Sequence, residues 1–427
     1  MRCRCRAARE DAAKIMSEDS SADLGAQRLL SGRAWEDYCE VLRIAGRAIE
    51  RFGEEPTPLD RAEWYRFLTR LTRNGLERFV ENCTAERPRL RDAPWRQSIN
   101  FQSPDQDHLL AEFVDGSHAY LIRGTRGTAP YFVMASWSAS QPADAGASDW
   151  AARGFAGLTD CNPALLRTSS MLQSQSIDVD AQGNFQVLVS RDPPPGGRNW
   201  LKIEPDCVGL LVRIVYHDRA REQAPQMQIE RLDHPAPRPL SAAELSTQLA
   251  KSGQLVLGYV ELVRSWWQDN LSQRPNRIRF SRALYLSNGG VPDRQHGFGT
   301  WRKGPDDALV LCFTPPPCDY WIFQLCNLWQ ENFDNYEDGQ GHVTKYRCHL
   351  ESDGSVWVVI ADQDPGIGGN WLDPAGHVHG GMSLRLILTQ APPPKVRAYL
   401  VPLAELRASG RAALGAAQVI ESGDVAD

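Results

Sequence analysis

Two stretches, DPPPGGRNWL at residues 192–201 and DPGIGGNWLD at residues 364–373, decide how this chain is read. Each closes a strand-like run with Asp-Pro, turns the chain through Pro and Gly, and enters a new strand at Asn-Trp-Leu. Outward from them the match continues. GNFQVLVSRDP at 183–193 answers GSVWVVIADQDP at 354–365, and LLVRIVY at 210–216 answers SLRLILT at 383–389. Both copies then reach a Pro-containing turn and a last strand, QMQIERL at 226–232 and VRAYLVPL at 396–403; further upstream, YFVMASW at 131–137 matches YWIFQLC at 320–326. Self-similarity that extends in both directions in the same order marks a repeat. The alternating runs between turn residues are half-buried strands, so the expected unit is an antiparallel β-sandwich, present twice.

Helices belong to the unit as well, because ENCTAERPRLR at 81–91 answers DNLSQRPNRIR at 269–279, in each case where a helical pattern ends. Residues 34–52 and 59–82 space Trp35, Tyr38, Val41, Leu42 and Ala45, then Trp64, Phe67, Leu68 and Leu71, by three and four, which predicts an amphipathic pair. Residues 241–270 open with SAAE, a capping-box match, and read as one long helix. The expected organisation is a disordered extension over 1–26, helices over 27–92, the first sandwich over 93–240, a connecting helix over 241–280, the second sandwich over 281–405 and a tail over 406–427. The corner residues Asn199, Trp200, Asp364, Asn370 and Trp371 are expected to be structural, with Asn capping the turn and Trp-Leu entering the core.

At these motifs the chain resembles the bacterial family known as domain of unknown function 1214, often found with the related family 1254. YWIFQLCNLW, DGSVWVVIADQDPGIGGNWLD and SLRLIL carry the resemblance, with their first-copy echoes, over roughly residues 110–240 and 290–405. The resemblance implies tandem jelly-roll-like β-sandwiches and no established activity, so no catalytic residue carries over. The first copy reads GGRNWLKIEPD where the second reads GGNWLDPAGH, so a site using Asp373 or His377 would exist once per chain.

Composition narrows the function classes. A chain of 427 residues is long enough for two domains. With 42% hydrophobic and 23% charged residues it is ordinary for a globular protein, and no apolar run approaches the roughly 18 residues of a membrane span. A net charge of −6 and the absence of a long basic block argue against nucleic acid as partner. The start, MRCRCRAAREDAAKI, lacks the apolar run of a secretory signal, and Met16 is an equally plausible first residue; the expected location is the cytoplasm. Ten scattered cysteines without a CxxC read as free thiols.

Several chemistries fail at the level of spacing. GxGG at 366–369 opens onto another strand, so it presents no helix amides to a pyrophosphate. No GxxxxGK[ST], HExxH or GxSxG occurs. The run ENFDNYEDGQGH at 331–342 begins like a calcium loop but has Lys345 where the closing Glu is required, and it reads as a solvated loop. No cofactor is expected. His377 and His379, two apart, are weak metal candidates with His342 as a distant third, set against a reading as exposed loop histidines.

Thirteen tryptophans are about twice the usual load, so aromatic clusters are where a ligand site is sought first. The second copy has YWIFQLCNLWQENFD where the first has YFVMASWSASQPAD, a gain of stacking and hydrogen-bonding groups. The expected pocket is therefore lined by Trp321, Phe323, Asn327, Trp329 and Glu331, with Trp267 arriving from the long helix. The leading expectation is a protein that binds or processes a small organic or sugar-like ligand there. The rivals are a metal-dependent jelly-roll enzyme centred on His377 and His379, and an assembly protein whose paired sandwiches pack laterally, for which a homo-oligomer is the expected form.

Overall fold

Capping and turn chemistry set the element boundaries. The computed structural model describes residues 22–52, 56–82, 84–93, 102–139, 166–236, 238–287, 290–334, 336–389 and 391–422. Helix α1 (Ala22–Leu30) leads into α2 (Arg33–Gly46) and α3 (Pro58–Leu76). Thr57 and Asp60 form a reciprocal capping box at the start of α3, with Pro58 as its first residue. Helix α4 (Ala242–Asn270) follows the first sandwich, with Ser241 accepting from the Glu244 amide. The apolar faces of α2, α3 and α4 meet around Trp64, Phe67, Leu71, Val260 and Val263, all buried. Helices α3 and α4 touch so closely at Gly75 that a Cβ there would lie 2.6 Å from Ser252 Oγ.

The first sandwich comprises β1 (Arg91–Asp92), β2 (Gln106–Glu112), β3 (Tyr120–Thr125), β4 (Tyr131–Ala139), β5 (Leu166–Gln173), β6 (Asn184–Ser190), β7 (Trp200–Lys202), β8 (Cys207–Val215) and β9 (Gln226–Arg231). The second comprises β10 (Arg277–Phe280), β11 (Arg294–Arg302), β12 (Asp307–Phe313), β13 (Tyr320–Cys326), β14 (His342–Thr344), β15 (Val356–Ile360), β16 (Asn370–Leu372), β17 (His379–Ile387), β18 (Val396–Pro402) and β19 (Val419–Ser422), with α5 (Arg282–Ser287) and α6 (Leu403–Ser409) added. One sheet of the first unit runs β1-β2-β8-β4-β5 and its counterpart β10-β11-β17-β13-β14; the others run β7-β6-β3-β9 and β16-β15-β12-β18-β19. The orders agree strand for strand except for β19, which is added at one edge, so the protein is mainly β, with two open sandwiches and added helices.

The corner strings confirm the equivalence at atomic level. Asn199 accepts from the Asp178 amide at 2.8 Å and donates to the Asp178 carbonyl at 2.9 Å, while Asn370 does the same with His349 at 2.6 and 3.0 Å. Trp200 Nε1 donates to Ser190 O and Trp371 Nε1 to Ala361 O. Asp364 accepts from the Gly366 amide and shapes the turn. One expectation is corrected: the two tryptophans are half-buried and face outward, and it is Leu201 and Leu372 that enter the cores, because neighbours on a strand point to opposite faces.

Two boundaries also change. Helix α1 begins at Ala22, so the expected disordered extension ends sooner, its residues 1–21 lying outside the described part. Residues 406–422 are no tail: α6 and the turns after it cover Val310, Val359 and Tyr399, and β19 extends the sheet alongside β18.

Each sandwich has its own interior, and the β8 sheet packs its outer face on that of the β17 sheet through Tyr131, Val133, Val215, Tyr320, Ile322 and Ile387. Replacing Leu372 by Ala is expected to cost about 2–5 kcal/mol as a large-to-small core change. Trp371→Ala should cost less, and denaturant midpoints of the two variants order them.

Candidate functional site

The residues singled out for a pocket divide between two places. Trp321 and Phe323 point into the second sandwich beside Phe313 and are core. Strand β13 ends at Cys326, so Asn327 and Trp329 lie in the turn after it, where Asn327 Oδ1 accepts from the amides of Trp329 and Glu331 at 2.9 and 3.0 Å. Trp329 inserts between Phe52, Trp64 and Phe67 and donates to the Asp60 carbonyl, while Trp267 donates to Leu328 O. Gln324, of opposite parity to Phe323, leaves the core and donates to Gln102 O and Asn332 Oδ1. Packing thus occupies the space expected for a ligand among these aromatic rings: Trp329 is 0% exposed and Glu331 1%.

Helix α3 docks on this turn through a charged row flanking Trp64, Phe67 and Leu71. Asp60 meets His379 at 3.3 Å, Glu63 meets His377 at 2.9 Å, Arg66 holds Asp334 at 2.7 Å and Arg70 holds Glu331 at 2.9 Å. Spacings of three and four place these four side chains along one side of the helix. Two sequence readings are corrected here. His377 is buried and stacked on Phe333, and the start of the acidic run, Glu331 to Phe333, is buried rather than solvated, because α3 covers both. His342 lies elsewhere, accepting from Arg347 at 2.8 Å near Asp105. Among the described residues no group of three His, Cys, Asp or Glu side chains could hold a metal.

Burial raises the Glu331 carboxyl to about 7, against the pull of Arg70. Burial opposes protonation of His377, but its hydrogen bond and charge contact with Glu63 hold its pKa above the ordinary value. Asp60 also suffers burial, yet its bonds to His379 and Thr57 keep it below the usual carboxylate range.

A second polar cluster, absent from the sequence reading, lies between the sandwiches. On β8, Arg213 stands opposite His108 of β2 and Val133 of β4; on β17, Arg385 stands opposite His296 of β11 and Ile322 of β13. The ladders therefore make Arg213 and Arg385 equivalent, whereas reading LLVRIVY and SLRLILT from their first letters sets Val212 against Arg385, a slip of one residue. Both arginines belong to outer faces that meet, and Arg294, from the start of β11, joins them. Arg294 is 2% exposed, its guanidinium lies 5.1 Å over the Tyr131 ring, and its Nε is 3.7 Å from Asp293. Its Nε and Nη2 nevertheless make no hydrogen bond, and neither does the Tyr131 hydroxyl.

Burial, with repulsion from Arg294 and against an opposing pull from Tyr285, brings Arg213 and Arg385 down to about 10. Burial, then the neighbouring arginines, hold His108 well below its usual value, and burial with Arg385 does so for His296. His296 accepts from Arg385 Nη2 at 3.2 Å, as a neutral imidazole can. The surroundings are aromatic: Trp137 lies 6.0 Å beneath Arg213, Tyr285 6.2 Å from His296, and Phe298 4.0 Å from His296. Elsewhere, an open groove of about 640 Å³ crosses the polar outer face of β3, β6 and β9, lined by Arg123, Asn184, Gln186, Gln226 and Gln228.

These features define a protein of two equivalent β-sandwiches joined face to face and clasped by a helical segment. The chain belongs to the same family as an uncharacterized protein from Burkholderia cenocepacia, whose crystal structure is 31% identical, has a TM-score of 0.77, and matches over 89% of this chain and 99% of that one. A Vibrio parahaemolyticus protein is 12% identical with a TM-score of 0.41 over 83% of this chain and 95% of that one. No protein-family model and no curated protein matches. No described helix is long and apolar enough to cross a membrane.

The helix dock generates a pH dependence with a definite sign. Glu331 has a folded pKa of about 7 against an ordinary 4.5, so its contribution is complete below the ordinary value and is lost as pH rises through the folded one. His377, also raised, acts in the same direction. The Glu331 contribution amounts to roughly 3 kcal/mol. Chemical denaturation between pH 4.5 and 8 should show wild-type stability falling across this window, a flatter profile for Glu331→Gln, and a higher midpoint for that variant at pH 8.

Proposed function

We propose that this protein binds a small anionic organic molecule between its two sandwiches, at the cluster of Arg213, Arg294 and Arg385. The observation that carries this reading is Arg294, a buried guanidinium with two nitrogens lacking acceptors. A buried charge is costly unless it is paired and hydrogen-bonded. Gathering two further guanidiniums at the same interface adds repulsion, and an anion would relieve both penalties. The equivalent residue of the first unit is Gln106, as follows from the pairing of His108 with Arg213 and of His296 with Arg385. The positive charge at this position therefore distinguishes the second copy from the first.

This reading keeps the expectation of a small-molecule binder but places the ligand outside the packed aromatic cluster of Trp329 and Trp267. Reading the sandwich units as relatives of domain of unknown function 1214 remains our proposal, on the motifs at 320–329, 353–373 and 383–388. Isothermal titration with benzoate, succinate, phosphate and sulfate tests the binding function. At least one of them should bind, and Arg294→Gln should weaken it about 10–100-fold, the equivalent of losing one charge-assisted hydrogen bond. The same variant should raise the denaturation midpoint of the ligand-free protein, since it removes a poorly compensated buried charge. Failure of all four anions to bind would remove the proposal.

A further inference from the structure

The two halves of the inter-sandwich interface are related by the duplication, and one half shows what the other lacks. Tyr131 and Tyr320 are equivalent, each pairing with the same position of its central strand, Val215 and Ile387. Asp105 and Asp293 are equivalent by the same register, each lying three residues before the histidine that faces the central arginine. In one half the Tyr320 hydroxyl donates to the Asp105 carboxylate, with Arg347 3.7 Å from that carboxylate and His342 at 4.0 Å. Phenol, carboxylate and guanidinium there form a closed set supplied by the chain itself.

In the other half the carboxylate and a guanidinium are again 3.7 Å apart, Asp293 to Arg294, but the phenol does not join them. Asp293 accepts instead from Gln173 Nε2 at 2.7 Å, on the neighbouring strand β5. The Tyr131 hydroxyl interacts with Arg294, whose guanidinium stands over the ring, but the hydroxyl and Arg294 Nε and Nη2 make no well-formed hydrogen bond. The phenol O–H and the guanidinium N–H groups can both donate to an incoming acceptor with two oxygens, the geometry a carboxylate matches as a planar fork, while Asp293 Oδ1, 3.7 Å from Arg294 Nε, is the chain's own acceptor at the edge of the set. Resting on the binding function above, we infer that the ligand is a carboxylic acid whose carboxylate sits between the Tyr131 hydroxyl and Arg294, in the role that Asp105 plays for Tyr320.

The full-length protein is titrated with benzoate, its neutral counterpart benzamide, and inorganic phosphate, as wild type and as Tyr131→Phe, which keeps the ring and removes only the hydroxyl. Benzoate should bind, benzamide should not, and Tyr131→Phe should weaken benzoate about tenfold, as expected for one hydrogen bond to a charged acceptor. Binding of phosphate with no binding of benzoate would overturn the carboxylate inference while leaving the anion-binding function standing. Equal binding of benzamide and benzoate, or an unchanged benzoate affinity in Tyr131→Phe, would also overturn the inference. Absence of binding by benzoate and phosphate alike would count against both. Should Tyr131→Phe not fold, the benzoate and benzamide comparison on wild type still decides the charge requirement.

Discussion

Face-to-face packing of two equivalent sheets is the constraint from which the rest of this structure follows. Each of the sheets built on β8 and β17 already covers its inner face with its own sandwich, and their outer faces then cover each other. Central strands buried on both sides have no solvated positions along most of their length, so a polar residue there must be satisfied inside the protein. Arg213 and Arg385, toward the C-terminal ends of these strands, are therefore drawn into the interior, Arg213 buried and Arg385 half-buried. In an isolated sandwich the same side chains would be unremarkable surface arginines.

Duplication followed by divergence explains how the two halves of such an interface come to differ. Two copies of one sheet meeting face to face present each residue type twice, and the arrangement His108–Arg213 with His296–Arg385 retains that symmetry. Symmetry is broken at the ends of the sheets. Asp105 closes a polar set with Tyr320, whereas Asp293 turns to Gln173, and Arg294 stands where the first unit has Gln106. In one half the phenol and the carboxylate bond to each other, and in the other the phenol and Arg294 form no such bond with Asp293.

The helical segment serves another purpose. Its charged row on α3, acidic toward the N-terminus and basic toward the C-terminus, faces two histidines and two carboxylates of the second sandwich in matching order. Apolar packing around Trp64 and Trp329 supplies most of the attachment, and the ion pairs set its register, since a shift of one turn would bring Asp60 or Glu63 toward Asp334 or Glu331. Aromatic residues that looked like the walls of a pocket are consumed in this attachment.

Local sequence determined the strands, the helices, the two-copy order and the corner, because each depends on short-range rules: alternation, three-four spacing, and Asn or Gly at positions of unusual backbone conformation. Asn199 with φ of 47° and Gly369 with φ of 93° are legible for that reason. Tertiary structure alone decided which faces of these elements are dry. That His377 is buried and His379 half-buried depends on α3, more than 300 residues earlier in the chain, and that Arg213, Arg294 and Arg385 converge depends on one sheet lying on another. Neither contact leaves a periodic trace, since an arginine in an apolar strand reads the same whether its face meets water or a second sheet.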